Sequence, residues 1–297
     1  MRQEEKPVSN GFDHYALKAM AALDQVANWP VGSAAVGVLV KNPSGQPTGY
    51  ARCGDYNALY EWASITKILT TLAVLVAVEE GTLSLETPCG PPGSTIAHLL
   101  SHASGIAPSG NQAIAPAGTK RIYSNAGFEL LGAQLSVAAN MPFSRYLEEA
   151  VLVPLGMTTV TLDASGSPAS GAMGALSDLM KLGAELLVPR LLAPATLAKA
   201  TSVSFAGLEG VLPGFGMMTP CDWGLGFELK DSKWPHWTGA RCSSSTFGHF
   251  GQSGGFLWVD PEASVVCGGL SDTSFGPWAQ SAWPQLSDAV LDEVAAR

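Results

Sequence analysis

The sequence predicts an α+β fold: one antiparallel sheet built from both ends of the chain, flanked by helices, with a helical lobe inserted between. Three observations carry this. Strand-like segments cluster at 33–54 and again after 222. Residues 82–210 read as helices joined by Pro/Gly/Ser loops. Strands and helices therefore segregate instead of alternating, which argues against a parallel doubly wound sheet. The chain has 297 residues, 46% hydrophobic and only 14% charged, so a large core can form. The expected organisation is a tail at 1–10, a sheet subdomain of 11–81 and 211–297, and a helical subdomain of 82–210, together one domain.

Each element has a local reason. Residues 11–28 repeat apolar side chains at helical period and stop near Trp29-Pro30. SAAVGVLVKN at 33–42 reads as a strand, Pro43-Ser44-Gly45 as a turn, and PTGYARCG at 47–54 as the returning arm of a hairpin. From Ser64 to Glu80 the spacing predicts a helix, closed by Gly81 in the left-handed conformation. That helix is apolar on nearly every side (Ile68, Leu69, Leu72, Val74, Leu75), as a central buried helix must be. Helices are expected at 95–102, 126–139, 143–151, 176–187 and 194–200, with Asp178 as a first-turn acid behind a Ser177 cap. Strand character returns in DWGLGFEL (222–229), GGFLWVD (254–260) and SVVCGGLS (264–271), and a helix at about 278–295 closes the chain.

Composition limits the partners. A net charge of −9 opposes any sequence-independent grip on nucleic acid or anionic lipid, so a small molecule is the expected ligand. MRQEEKPVSNGFDHY lacks the apolar core of an export signal, and ILTTLAVLVAV at 68–78 is too short to span a bilayer. The five cysteines are widely spaced with no C-x-x-C pair, which suggests free thiols in a reducing compartment and hence a cytoplasmic protein. His98 and His102 stand four apart, but the glutamate of H-E-x-x-H is missing between them. They are expected to be structural, with no metal and no cofactor.

Gly251-Gln252-Ser253-Gly254-Gly255 matches G-x-S-x-G, the strand–turn–helix elbow of many serine hydrolases. Here a strand, not a helix, follows the serine, and none of the five histidines lies after it. Ser253 is therefore not expected to be a nucleophile. Ser64-Ile65-Thr66-Lys67 offers another chemistry. Residues three apart share a helix face, so the hydroxyl and the amine can meet. The helix N-terminus favours an oxyanion beside Ser64, and burial would lower the Lys67 pKa until the amine can act as a base. The simpler alternative is a capping serine and a surface lysine. Tyr123-Ser124-Asn125 adds a proton relay and a side-chain amide that can hold a substrate carbonyl. His249-Phe250-Gly251 opens a late strand whose glycine allows close approach of a substrate. Among the tryptophans, Trp62 and the Trp234–Trp237 loop are the candidates for a pocket wall, and the others are expected in the core.

S-x-x-K, Y-x-N and H-x-G in this order resemble the serine β-lactamase-related hydrolases: class C β-lactamases, D-alanyl-D-alanine carboxypeptidases and family VIII carboxylesterases. TIAHLLSHASGI (95–106) and PAGTKRIYSN are similar to flanking segments of that family. The resemblance implies a β-lactamase/transpeptidase-like fold with a five-stranded antiparallel sheet. It also implies that Ser64 is acylated, Lys67 is its base partner, Tyr123 shuttles the proton, and Asn125 orients the substrate. The backbone N–H groups of Ser64 and Gln252 would form the oxyanion hole. His249 departs from the lysine usual in β-lactamases. A neutral histidine holds a carboxylate poorly, so short acyl esters are expected ahead of β-lactams or D-alanyl peptides. A ligand sensor without turnover is the remaining alternative.

Overall fold

The computed structural model describes residues 20–162 and 166–296. The tail at 1–10, His14 and the first part of the helix expected at 11–28 lie outside the described residues. Its remainder is a 3-10 helix, Ala21–Asn28. Strands β1 (Ala34–Lys41) and β2 (Pro47–Cys53) form the expected hairpin. After β3 (Leu59–Glu61) comes a single 3-10 turn, Ala63–Ile65, and then helix α1 (Thr66–Glu79), ended by Gly81 at φ +78°. The lobe holds α2 (Ile96–Leu100), α3 (Asn125–Ala139) and α4 (Phe143–Leu147), the last continued by a π-helical turn, Glu148–Leu152. Next come β4 (Met173–Ala175), α5 (Leu176–Leu187) and α6 (Pro194–Ala200). A small hairpin of β5 (Gly210–Leu212) and β6 (Gly216–Met218) precedes β7 (Glu228–Leu229), β8 (Phe247–Gly251), β9 (Gly255–Asp260) and β10 (Val265–Ser271). Helix α7 (Pro277–Ala295) closes the chain.

The main sheet runs β2-β1-β10-β9-β8-β7, every pair antiparallel. It has six strands, not five. The extra strand is β8, which folds back on β9 through a turn at Gln252–Gly254, with Gly254 at φ +97°. The expected strand at 222–229 shrinks to two residues for a steric reason. Gly226 takes φ +79°, and a Cβ there would fall 1.8 Å from the Thr71 hydroxyl oxygen, so the chain turns tightly over α1 before it can extend. Sequence alternation cannot report that contact.

Strand alternation divides the interior into two layers. Leu39, Leu257, Val259 and Val266 face α1 and α5, while Val36, Val38, Trp258 and Cys267 face α7 and the first 3-10 helix. Thr66 through Ala77 of α1 are all buried, which explains the missing polar face of that segment. Fully buried Leu69 and Leu72 each contribute roughly 1.5–3 kcal/mol of apolar transfer. On the far side, Trp258 Nε1 donates to Ser287 Oγ of α7 at 3.0 Å and sets how that helix lies on the sheet. Asp178 is in the first turn of α5, as expected, but its role is internal. It is buried, accepts from the N–H groups of Thr159 and Val160 and from the Thr159 hydroxyl, and pairs with Lys181 at 2.7 Å. Ser177 lies within α5, whose N-cap position is Ala175.

Candidate active site

The turn carrying Ser64 is fixed from both sides. Trp62, fully buried, donates its indole N–H to Gly174 O at 3.1 Å, and its backbone N–H goes to Ala172 O at 2.9 Å. Ala63 takes φ +43°, a left-handed conformation that L-residues adopt only where the surroundings over-determine it. The surroundings here are the end of β8. A Cβ on Gly251 would sit 2.4 Å from the Trp62 carbonyl oxygen, so only glycine lets the strand approach. Gly251 thus serves the close packing of β8 on the Ser64 turn and does not line the cleft, and Trp62 is core. Neither is among the residues that line the cleft bordered by Ser64.

Ser64 is not a helix cap. Its Oγ receives hydrogen bonds from Tyr123 Oη at 2.8 Å and from Lys67 Nζ at 3.1 Å. Lys67 is fully buried rather than a surface residue, and its amine also donates to Asn125 Oδ1 at 2.7 Å and Ala169 O at 2.9 Å. Burial lowers its pKa, against a smaller opposing effect of Glu129, to about 7. Two of its three contacts are to atoms that can only accept. When the amine is neutral, its two N–H bonds go to Asn125 and Ala169, which leaves the lone pair facing Ser64 Oγ. Tyr123 is partly buried, and desolvation pushes its phenol above the usual tyrosine range, so it stays a proton donor.

The loop that supplies Ala169 O is held by α1 itself. Thr70 Oγ1 donates to Pro168 O at 2.6 Å, and Ala172 N–H donates to Thr66 Oγ1 at 3.0 Å. Sequence reading missed this contribution, because nothing in 168–172 marks it as catalytic and it lies 102 residues from Lys67.

Ser64, Tyr123, Asn125, His249 and Gln252 border one cleft of about 250 Å³, walled by apolar Leu212, Pro213, Trp223 and Phe250. A larger concavity of about 1070 Å³, lined by Ser144, Arg145 and Met157 among others, lies away from Ser64. Gln252 is pinned by Phe275, whose N–H donates to its carbonyl at 2.8 Å. His249 Nδ1 donates to Phe250 O at 2.7 Å, which leaves Nε2 as the unprotonated nitrogen. Burial, then the charge of Lys67, lowers its pKa to about 3, so the ring is uncharged at neutral pH. Ser253 Oγ donates to Glu61 O at 2.6 Å and ties the β8–β9 turn to β3. Trp234 is 62% exposed and Trp237 is buried, so neither forms the cleft wall, whereas Trp223 does. Among the described residues, no group of three or more His, Cys, Asp or Glu could hold a metal. His98 and His102 diverge, the first stacking on Phe205 at 4.1 Å and the second on Tyr123 at 4.6 Å.

Glu228 is the cleft residue that sequence reading overlooked, although an acid inside DWGLGFEL was a visible anomaly. It pairs with Lys233 at 2.5 Å and accepts from His236 Nε2 at 2.8 Å and Trp237 Nε1 at 2.9 Å. Burial alone would raise its pKa, but His236 and Lys233 outweigh that and hold it at about 2. Its stabilising contribution is complete above the unfolded carboxyl value and is lost as pH falls from about 4.5 toward 2. Glu228→Gln leaves the Lys233 charge buried without a counter-charge, with an expected loss of roughly 3–5 kcal/mol. Urea unfolding at pH 7 measures it, and a loss below about 1 kcal/mol would mean that another group balances Lys233.

The six-stranded antiparallel sheet, the helical lobe and the cleft between them define a β-lactamase/transpeptidase-like protein. The β-lactamase family model matches residues 6–291. A β-lactamase from Mycobacterium bovis is 48% identical, with 92% of this chain and 99% of that one covered at a TM-score of 0.88. The chain therefore belongs to the β-lactamase family of serine hydrolases. More distant structures share the fold. A mutant of simvastatin synthase from Aspergillus terreus is 17% identical (92% and 97% covered, TM-score 0.73). EstCE1, a hydrolase with promiscuous acyltransferase activity, is 18% identical (91% and 96% covered, TM-score 0.72). No curated protein matches the chain. No described helix is long and apolar enough to cross a membrane.

Proposed function

We propose that this protein is a carboxylesterase acting on short acyl esters through an acyl-enzyme on Ser64. The observation that carries the reading is the position of Ser64 Oγ, in hydrogen-bond contact with both a buried amine of pKa about 7 and a neutral phenol. Neutral Lys67 takes the serine proton as Oγ attacks the ester carbonyl. The tetrahedral oxyanion is received by the backbone N–H groups of Ser64 and Gln252. Tyr123 gives its proton to the leaving alkoxide; its phenolate then takes a proton from the attacking water, and Lys67 returns its proton to Ser64 Oγ as the acyl group departs. Asn125 orients the acyl group and the amine together.

Ester is favoured over β-lactam by the charge of the wall. Among the described residues, those bordering the cleft include Glu228 and a neutral His249 but no lysine or arginine, so a substrate carboxylate finds no cation in the wall. The cleft of about 250 Å³ suits a short acyl chain. A reducing, cytoplasmic setting agrees with five unpaired cysteines. The second reading, β-lactamase or D-alanyl-D-alanine carboxypeptidase at the same site, is favoured by the identity to the Mycobacterium bovis β-lactamase.

Turnover of p-nitrophenyl butyrate is expected to exceed that of a chromogenic cephalosporin at equal concentration, and mass spectrometry is expected to place a transient acyl group on Ser64. Cephalosporin turnover above ester turnover would reverse the two readings. Lack of turnover and of any adduct would leave a binding protein.

A further inference from the structure

His102 is a neighbour of the site that the chemistry above does not use, and its geometry is unusual. It follows the short α2, takes φ +56°, and is only 2% exposed. A non-glycine residue in this region is held there by its contacts. Three of those contacts fall on consecutive residues. The His102 carbonyl accepts the Ile122 N–H at 2.8 Å, and its Nδ1 accepts the Ser124 N–H at 3.2 Å. Between these two bonds, its ring packs on the ring of Tyr123 with centroids 4.6 Å apart. The other side is closed by Trp223, edge-on at 4.7 Å, and Phe128 at 5.3 Å.

From this we infer that His102 is the positioning residue for Tyr123: it grips the backbone on either side of the tyrosine and packs on its ring, so that the phenol stays aimed at Ser64. The inference rests on the reading of Tyr123 as proton relay. The grip needs Nδ1 as an acceptor, hence a neutral ring protonated on Nε2. Burial and the nearby Lys67, His249 and Arg121 all oppose charging the ring, which keeps it neutral. The phenol is 2.8 Å from Ser64 Oγ, and a displacement of about 1 Å is enough to cost on the order of 100-fold in rate.

Three variants separate the parts of the grip. His102→Asn tolerates a positive φ and presents an acceptor near the place of Nδ1. His102→Gly keeps the φ and the carbonyl but loses the acceptor and the ring. His102→Gln, whose amide reaches the level of Nε2, replaces the glycine variant should that one not fold. Expected for ester hydrolysis is a fall in kcat of about 10–100-fold for His102→Gly or His102→Gln with KM nearly unchanged, while His102→Asn recovers most of it. In a Tyr123→Phe background the same substitutions should cost little more, because the group being positioned is already gone. Fluorotyrosine labelling, with the Tyr123 signal assigned by its loss in Tyr123→Phe, reads the phenol directly by 19F NMR. A shifted or broadened Tyr123 signal in His102→Gly is expected. An unmoved signal, additive losses in the Tyr123→Phe background, or His102→Asn as impaired as His102→Gly would each overturn the inference. If the signal moves but wild-type ester hydrolysis does not depend on Tyr123, the positioning role stands and the proposed relay falls.

Discussion

Ser64→Ala is expected to reduce hydrolysis of p-nitrophenyl butyrate to near the background rate, a loss on the order of 10⁴–10⁶-fold. Ser253→Ala should stay near the wild-type rate. The two serines differ in what their oxygens meet. Ser64 Oγ lies between an amine and a phenol, so it has both a route for its proton and a source of one. Ser253 Oγ gives its only proton to the Glu61 carbonyl, an acceptor that cannot act as a base. Ser64 is only partly buried and borders the cleft, so losing its hydroxyl should change the melting temperature little. Initial rates and thermal melts on the two variants decide the matter, and hydrolysis that survives Ser64→Ala while disappearing in Ser253→Ala would overturn the assignment.

Lys67→Met is the second large effect. Acylation is expected to slow by on the order of 10³-fold or more, since no other base touches Ser64 Oγ among the described contacts. In the wild type the rate of acylation should rise with pH through about 7 and level off above it, as the amine loses its proton. Stability supplies an independent check. The folded Lys67 pKa lies below the unfolded value of about 10.4, so between pH 7 and 10 the unfolded chain binds more protons. Wild-type stability should therefore rise with pH relative to Lys67→Met across that window, and the difference should be flat below it. Single-turnover rates and paired urea titrations at pH 6, 8 and 10 test both halves. A pH-independent difference would show that the buried amine does not titrate near 7.

The order of elements was legible because both ends of the chain carry period-two apolar runs and the middle carries helical ones. Helices at 126–139, 176–187 and 194–200 were placed within a residue or so of their ends. The Ser64, Lys67 and Tyr123 cluster was legible because two of its members share one helical turn. What sequence did not reveal came from contacts without a local signature. Gly251 packs against the Trp62 carbonyl, Trp62 faces the core, and Gly226 bends the segment expected to be strand. Ala169 contributes only a backbone oxygen, which no residue type advertises. Glu228 was hidden because its partners Lys233, His236 and Trp237 lie in a loop whose pairing depends on the fold.

The pairing of β1 with β10 has a consequence for how the molecule comes into being. Ala34 lies opposite Ser271, so a strand made early in synthesis waits for one made near its end before the sheet can close. The strand carrying His249 reaches β1 only through β9 and β10. Contacts of such long sequence separation cost loop entropy before they return any stability, which slows folding. A nascent chain stopped before β10 would hold Ser64, Lys67 and Tyr123 covalently, yet without a sheet to bring His249 and Gln252 against them. Appearance of ester hydrolysis during refolding or translation is then expected to mark completion of the whole fold, not of the segment that carries Ser64.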